Sequence, residues 1–77
     1  MKWQIEEDEI VCKFYLENQD DWRKKIDELM NELKNSGFVN RDESSAKMRI
    51  ANYAALHTGS GLTHTCKQER DVYNRLK

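Results

Sequence analysis

The chain has 77 residues, of which 38% are apolar and 35% charged, with three Gly, no Pro and a net charge of −1. One domain is expected over residues 1–77, because domains below about 50 residues rarely hold a core alone. Only about 60% of the unfolded surface can be buried at this size, so a deep cavity would compete with stability, and neither an enzyme nor a small-molecule substrate is expected. The opening Met1-Lys2-Trp3-Gln4-Ile5-Glu6-Glu7 turns acidic where a secretion signal would turn apolar. No apolar run approaches the roughly 20 residues of a bilayer span, so the expectation is a cytoplasmic protein with no membrane partner.

Apolar spacing of three and four without proline predicts helices throughout. The first runs from about Ile5 to Leu16, with Glu6, Glu7, Asp8 and Glu9 in an opening turn where the helix dipole favours acids. Ile10, Val11, Phe14 and Tyr15 form its stripe, and Trp3 is expected to fold back onto it. The second helix is capped within Asn18-Gln19-Asp20-Asp21, and Trp22, Ile26, Leu29, Met30 and Leu33 make it amphipathic. Asn35-Ser36-Gly37 supplies a left-handed stop, with Phe38-Val39 as an apolar plug beneath it.

The third helix, about Asp42 to Leu56, is capped by Asn40 or Asp42. At about 100° per residue, Ala46, Ile50, Tyr53 and Ala54 share one side and Met48, Ala51 and Ala55 another. Ser45, Arg49 and Asn52 remain as a narrow polar line facing out. The stretch His57-Thr58-Gly59-Ser60-Gly61-Leu62-Thr63-His64 reads as a loop anchored by Leu62. Thr65-x-x-Gln68 reads as a capping box for a last helix with Val72, Tyr73 and Leu76 inward. The fold class is therefore all-α, a compact four-helix domain with helix-turn-helix-like packing.

Charge is uneven along this chain. Residues 1–39 hold ten acids against six bases, and residues 40–77 four acids against seven bases. Such a basic half can face a polyanion. Cys12 and Cys66 are expected as reduced thiols. With His57 and His64 they are the residue types of a zinc site or a Cys-His nucleophile pair, yet no C-x-x-C or H-x-x-x-H spacing is present and no third orienting group is evident. No metal, cofactor or catalytic residue is assigned.

The most functional-looking surface is the line Ser45, Arg49 and Asn52, flanked by Arg41, Lys47, Lys67 and Arg70. Hydroxyl, guanidinium and amide in a row suit phosphates and base edges, with Arg matched to guanine and Asn to adenine. Two alternatives accompany this reading: Arg49 pairs with an acid of the first helix, and Asn52 bonds the backbone of the glycine loop.

Trp3-x-x-Glu6-Glu7-Asp8, then Arg41-x-x-Ser44-Ser45-x-x-Met48-Arg49-Ile50-Ala51-Asn52-Tyr53, and Gly61-Leu62-Thr63-His64 with Lys67 and Val72-Tyr73, together resemble a known small domain. It stands ahead of the nuclease domain in bacterial HNH-endonuclease-like and restriction-related proteins. Its pattern is an opening aromatic, an R-x-x-S-V-x-M-K-L-x-N-F helix, a G-L pair and a closing V-W. Cys66 stands here where Ser is common, and Tyr73 where Trp is usual. The resemblance spans nearly the whole chain and implies a DNA-binding or positioning module of a DNA-processing or defence system. It carries no nuclease activity, since the chain has two histidines and no His-Asn-His element. The opening Trp, acidic helix start and basic third helix are also similar in architecture to a Myb/SANT unit.

The expected function is thus non-enzymatic DNA binding through Arg41, Ser45, Lys47, Arg49, Asn52, Lys67 and Arg70. The rival expectation is a protein-interaction module, adaptor or inhibitor, using the acidic first two helices.

Overall fold

The computed structural model describes residues 3–39, 41–59 and 65–77. Four helices follow in order: α1 (Ile5–Glu17), α2 (Ile26–Asn35), α3 (Glu43–Thr58) and α4 (Lys67–Leu76). Among the described residues there is no strand, and no helix is long and apolar enough to cross a membrane. The expected all-α, four-helix domain is what the chain forms.

Helix α1 is the hub, packing against α2, α3 and α4. A capping box opens it: the Gln4 amide donates to Glu7 Oε1 at 2.9 Å, and the Gln4 side chain reciprocates toward the Glu7 backbone. Its inward face is Val11, Cys12, Phe14 and Tyr15. Burial, with the charge of Asp8 adding to it, pushes the Cys12 thiol up to about 12. Cys12 is therefore an inert core group.

Helix α2 begins later than its apolar spacing predicts. Asn18 closes α1 by donating its side-chain amide to Phe14 O at 2.9 Å. The chain then runs through tight turns, with Asp21 N to Asn18 O at 3.2 Å, Lys24 N to Asp21 O at 3.0 Å and Lys25 N to Trp22 O at 3.1 Å. These i to i+3 bonds are tighter than the i to i+4 ladder that the periodicity alone reads. Trp22 still enters the core from this segment, alongside Ile26, Leu29 and Leu33 of α2.

The end of α2 agrees with expectation except at Val39, which is 63% exposed and takes no part in the expected apolar plug. Gly37 takes φ +94°, its amide donates to Lys34 O at 3.1 Å, and the Phe38 amide reaches back to Leu33 O at 2.9 Å. This is a Schellman motif, and the half-buried Phe38 packs against the core beside it.

Asp42 caps α3, accepting from the Ser45 amide at 2.8 Å; Asn40, the other candidate, lies outside the described residues. The helix continues to Thr58, past the expected end at Leu56, and stops at Gly59 with φ +79°. Ala46, Ile50 and Tyr53 face the core. The side expected to be covered through Met48 and Ala51 is instead exposed, with Met48 71% accessible. That outward turn of Met48 moves Ser45, Arg49 and Asn52 onto the flank of the helix. They are not its outer line. Ser60, Gly61, Leu62, Thr63 and His64 lie outside the described residues.

The cap of α4 falls one residue after the predicted Thr65 box. Cys66 is the N-cap and its amide donates to Glu69 Oε1 at 2.9 Å. Val72 is buried, while Tyr73 and Leu76 are half-buried against the core.

Candidate functional site

Two interior ion clusters tie α1 to the second half of the chain. In the first, Arg41 Nε donates to Glu7 Oε2 at 2.6 Å and Nη2 donates to Oε1 at 3.1 Å. In the second, Arg49 Nε and Nη2 donate to Asp8 Oδ1 and Oδ2 at 2.6 and 2.8 Å. Both arginines thus use the bidentate fork that matches a carboxylate plane. Arg49 Nη1 also lies 3.4 Å from Glu69 Oε2, an oxygen with no hydrogen bond among the described residues. Gln68 Nε2 donates to Asp8 Oδ2 at 2.5 Å and to Trp3 O at 2.9 Å, so α4 and the N-terminal segment join the same cluster.

The Arg41 and Arg49 side chains are only 8% and 14% exposed, against 0% for Asp8 and Glu69. Their guanidinium carbons stand 4.1 and 5.0 Å from the centroid of the Trp3 ring, within cation–π range. Trp3 therefore folds back onto the arginines as well as toward the core. Burial opposes the charge of Arg49, but the Asp8 hydrogen bonds and the charges of Asp8 and Glu69 outweigh it and hold the guanidinium more firmly protonated than usual. Burial, followed by the Asp8 charge, raises the Tyr53 hydroxyl above its ordinary range.

The Glu7–Arg41 pair carries a pH signature. Burial pushes Glu7 upward, but the Arg41 hydrogen bond, the Gln4 amide and the Arg41 charge together take it below its ordinary 4.5. A depressed folded pKa contributes stability above the unfolded value and loses it as pH falls through the folded one. Wild type is thus expected to hold a steady urea midpoint from pH 7 to about 5 and to lose stability below about 4.5. A Glu7→Gln variant should begin less stable and lose less over that acid window. Urea unfolding between pH 3 and 7 reads both slopes.

Four of the seven candidate nucleic-acid residues come together. Arg41, Ser45, Arg49 and Asn52 line one groove of about 280 Å³ with Trp3 and Met48. Lys47 does not join them: it projects about 150° round α3 from that face and pairs with Glu43 at 3.3 Å. Lys67 and Arg70 belong to the exposed first turns of α4, which the 3.9 Å contact between Arg49 Nη2 and Cys66 Sγ sets beside the groove. Lys67 pairs with Asp71 at 2.8 Å and remains 83% exposed, while Arg70 Nη1 donates to Thr65 O at 3.1 Å.

The expectation of an exposed guanidinium on α3 is thereby corrected. Arg49 pairs with an acid of the first helix, the alternative the sequence left open. Asn52 lines the groove and makes no hydrogen bond among the described residues; the other alternative, a bond to the glycine loop, falls on residues 60–64, outside the described residues. Trp3, Glu7, Asp8, Gln68 and Glu69 are the members that spacing alone did not assign to the site.

Cys12 and Cys66 are free thiols, the one buried and the other exposed. His57 Nδ1 stands 2.9 Å from the Tyr73 hydroxyl, at a different place from the groove, and His64 is outside the described residues. Among the described residues no group of three His, Cys, Asp or Glu side chains is placed to hold a metal ion. Comparison with protein-family models, curated proteins and solved structures finds no match to this chain.

Proposed function

We propose that the chain is a non-catalytic nucleic-acid-binding module whose contact surface is the groove beside α3 together with the first turns of α4. The observation that carries this reading is the Asn52 amide, without a partner among the described residues, in a groove that adjoins the start of α4 through the Arg49–Cys66 contact. Amide and hydroxyl groups read base edges, and cations at the rim hold phosphates. The resemblance to a domain that precedes nucleases in DNA-processing proteins supports the same reading. Within it, Arg41 and Arg49 shape the groove, and Ser45, Asn52, Lys67 and Arg70 make the contacts.

This assignment has a numerical consequence. Two phosphate contacts weaken single-strand binding by roughly sevenfold between 50 and 200 mM salt, whereas all five candidate bases would weaken it on the order of a hundredfold. Titration of labelled single- and double-stranded DNA at both salt concentrations is expected to give the smaller fall, and Lys67→Ala with Arg70→Ala should flatten it. Binding that is absent at 50 mM salt, or indifferent to salt, contradicts the proposal.

A second reading rests on α2, where Asp27, Glu28 and Glu32 are exposed and make no ion pair among the described residues. An acidic helix face of this kind fits a basic protein partner. Charge reversal at Glu28 and Glu32 would abolish such an association and leave DNA binding intact.

A further inference from the structure

We propose that the groove between Trp3 and α3 is a pocket for one unstacked nucleobase of the adenine type. This rests on the nucleic-acid reading above and names the ligand of the same site.

The walls decide the ligand's charge. Two guanidinium groups, Arg41 and Arg49, are matched by three carboxylates, Glu7, Asp8 and Glu69, all close around them. The groove is therefore poor at holding a phosphate and hospitable to an uncharged polar group. Its concave shape takes a base lifted out of a stack, whereas a base pair in a duplex presents only its edge.

The polar groups decide the ligand's edge. An amide both donates and accepts, which complements the N6 donor and N7 acceptor of adenine. The Asn52 amide is half-buried, lines the groove and is committed to no partner among the described residues. Mid-helix Asn is otherwise a poor choice for helix stability. Ser45 lies two turns earlier, about 10 Å along the axis, at the distance of the sugar attached to a base seated on Asn52. Between them along the helix, Met48 is 71% exposed and adds an apolar, polarizable surface for the base to a lining that also includes Trp3. The strand leaving the base runs toward the start of α4, which the Arg49–Cys66 contact sets next to the groove and which carries exposed Lys67 and Arg70.

The test compares labelled ten-residue oligo-dA and oligo-dT, with unlabelled adenosine monophosphate as a third probe, at 50 mM salt. Wild type should prefer oligo-dA by roughly tenfold, in keeping with one bidentate base contact. Asn52→Ala, its fold checked by circular dichroism, should lose that preference and bind both strands as wild type binds oligo-dT. Lys67→Ala with Arg70→Ala should weaken both strands alike and keep the preference. Adenosine monophosphate bound in an Asn52-dependent manner, with neither strand bound, supports the base pocket and overturns the strand-binding function. Equal binding of the two strands by wild type and Asn52→Ala overturns the pocket and leaves the function standing. Binding of none of the three probes overturns both.

Discussion

Arg49→Met is expected to cost about 3–5 kcal/mol, because it strands Asp8 and Glu69 as buried charges with no cation between them. A chain of this length is stable by only about 4–12 kcal/mol in total, so the variant should lose roughly a quarter of its stability or more and unfold at a markedly lower denaturant concentration. Chemical denaturation followed by circular dichroism measures the loss. A triple variant, Arg49→Met with Asp8→Leu and Glu69→Leu, should recover most of it, since replacing a whole buried ionic cluster with packed apolar groups is often neutral. If Arg49→Met alone proved as stable as wild type, the guanidinium would be a surface group and the interior placement of the cluster would be wrong.

Trp22→Ala is the second large effect, about 3–5 kcal/mol. Trp22 is 7% exposed and enters the core from the turns ahead of α2, where separate turn bonds stand in place of a continuous helical ladder. Its indole is what fastens that segment, with Arg23 stacked 4.4 Å from the ring centroid on the outside. Truncation should lower the urea midpoint and raise amide exchange in residues 18–25 more than in α3. A cost below about 1 kcal/mol, with no local change in exchange, would mean that the turns hold without the indole.

These two residues mark where the sequence was legible and where it was not. The stripe of α2 and its glycine stop follow from periodicity and from the left-handed conformation Gly37 adopts, and both are local properties. The start of α2 falls later than periodicity reads because Trp22 shares the helical period of Ile26 and Leu29, while the backbone from Asn18 to Lys25 closes i to i+3 turns instead of a helical ladder. The cap of α4 slipped by one residue because Thr65 and Cys66 are adjacent and each has a suitable partner three residues on; Cys66 with Glu69 leaves Gln68 free for Trp3 and Asp8.

The ion cluster had a signal that apolar-stripe reading passes over. Asp8 precedes Val11, Cys12 and Tyr15 at i+3, i+4 and i+7, and Glu69 precedes Val72, Tyr73 and Leu76 at the same spacings. Each acid is the first position of its helix's core stripe, so each is carried inward and needs a cation. Dipole stabilisation of an acidic first turn does not require that burial. Arg41 and Arg49 are the cations that meet Glu7, Asp8 and Glu69, which is why the two most promising contact residues of the chain turn out to be its internal clamps. What tertiary packing leaves available, the Asn52 amide and the rim cations, was within the same short list and could not be separated from the clamps by spacing.

Nucleic acid is proposed to meet this chain at the α3 groove and the first turns of α4, with Arg41 and Arg49 behind the surface. Amide and side-chain NMR during titration of uniformly labelled protein with oligo-dA tests it most directly. The expected result is progressive shifts at Ser45, Met48, the Asn52 side-chain amide and Lys67 to Arg70, with α2 unmoved. Shifts confined to Asp27, Glu28 and Glu32, or no shifts at all at millimolar strand, would contradict it.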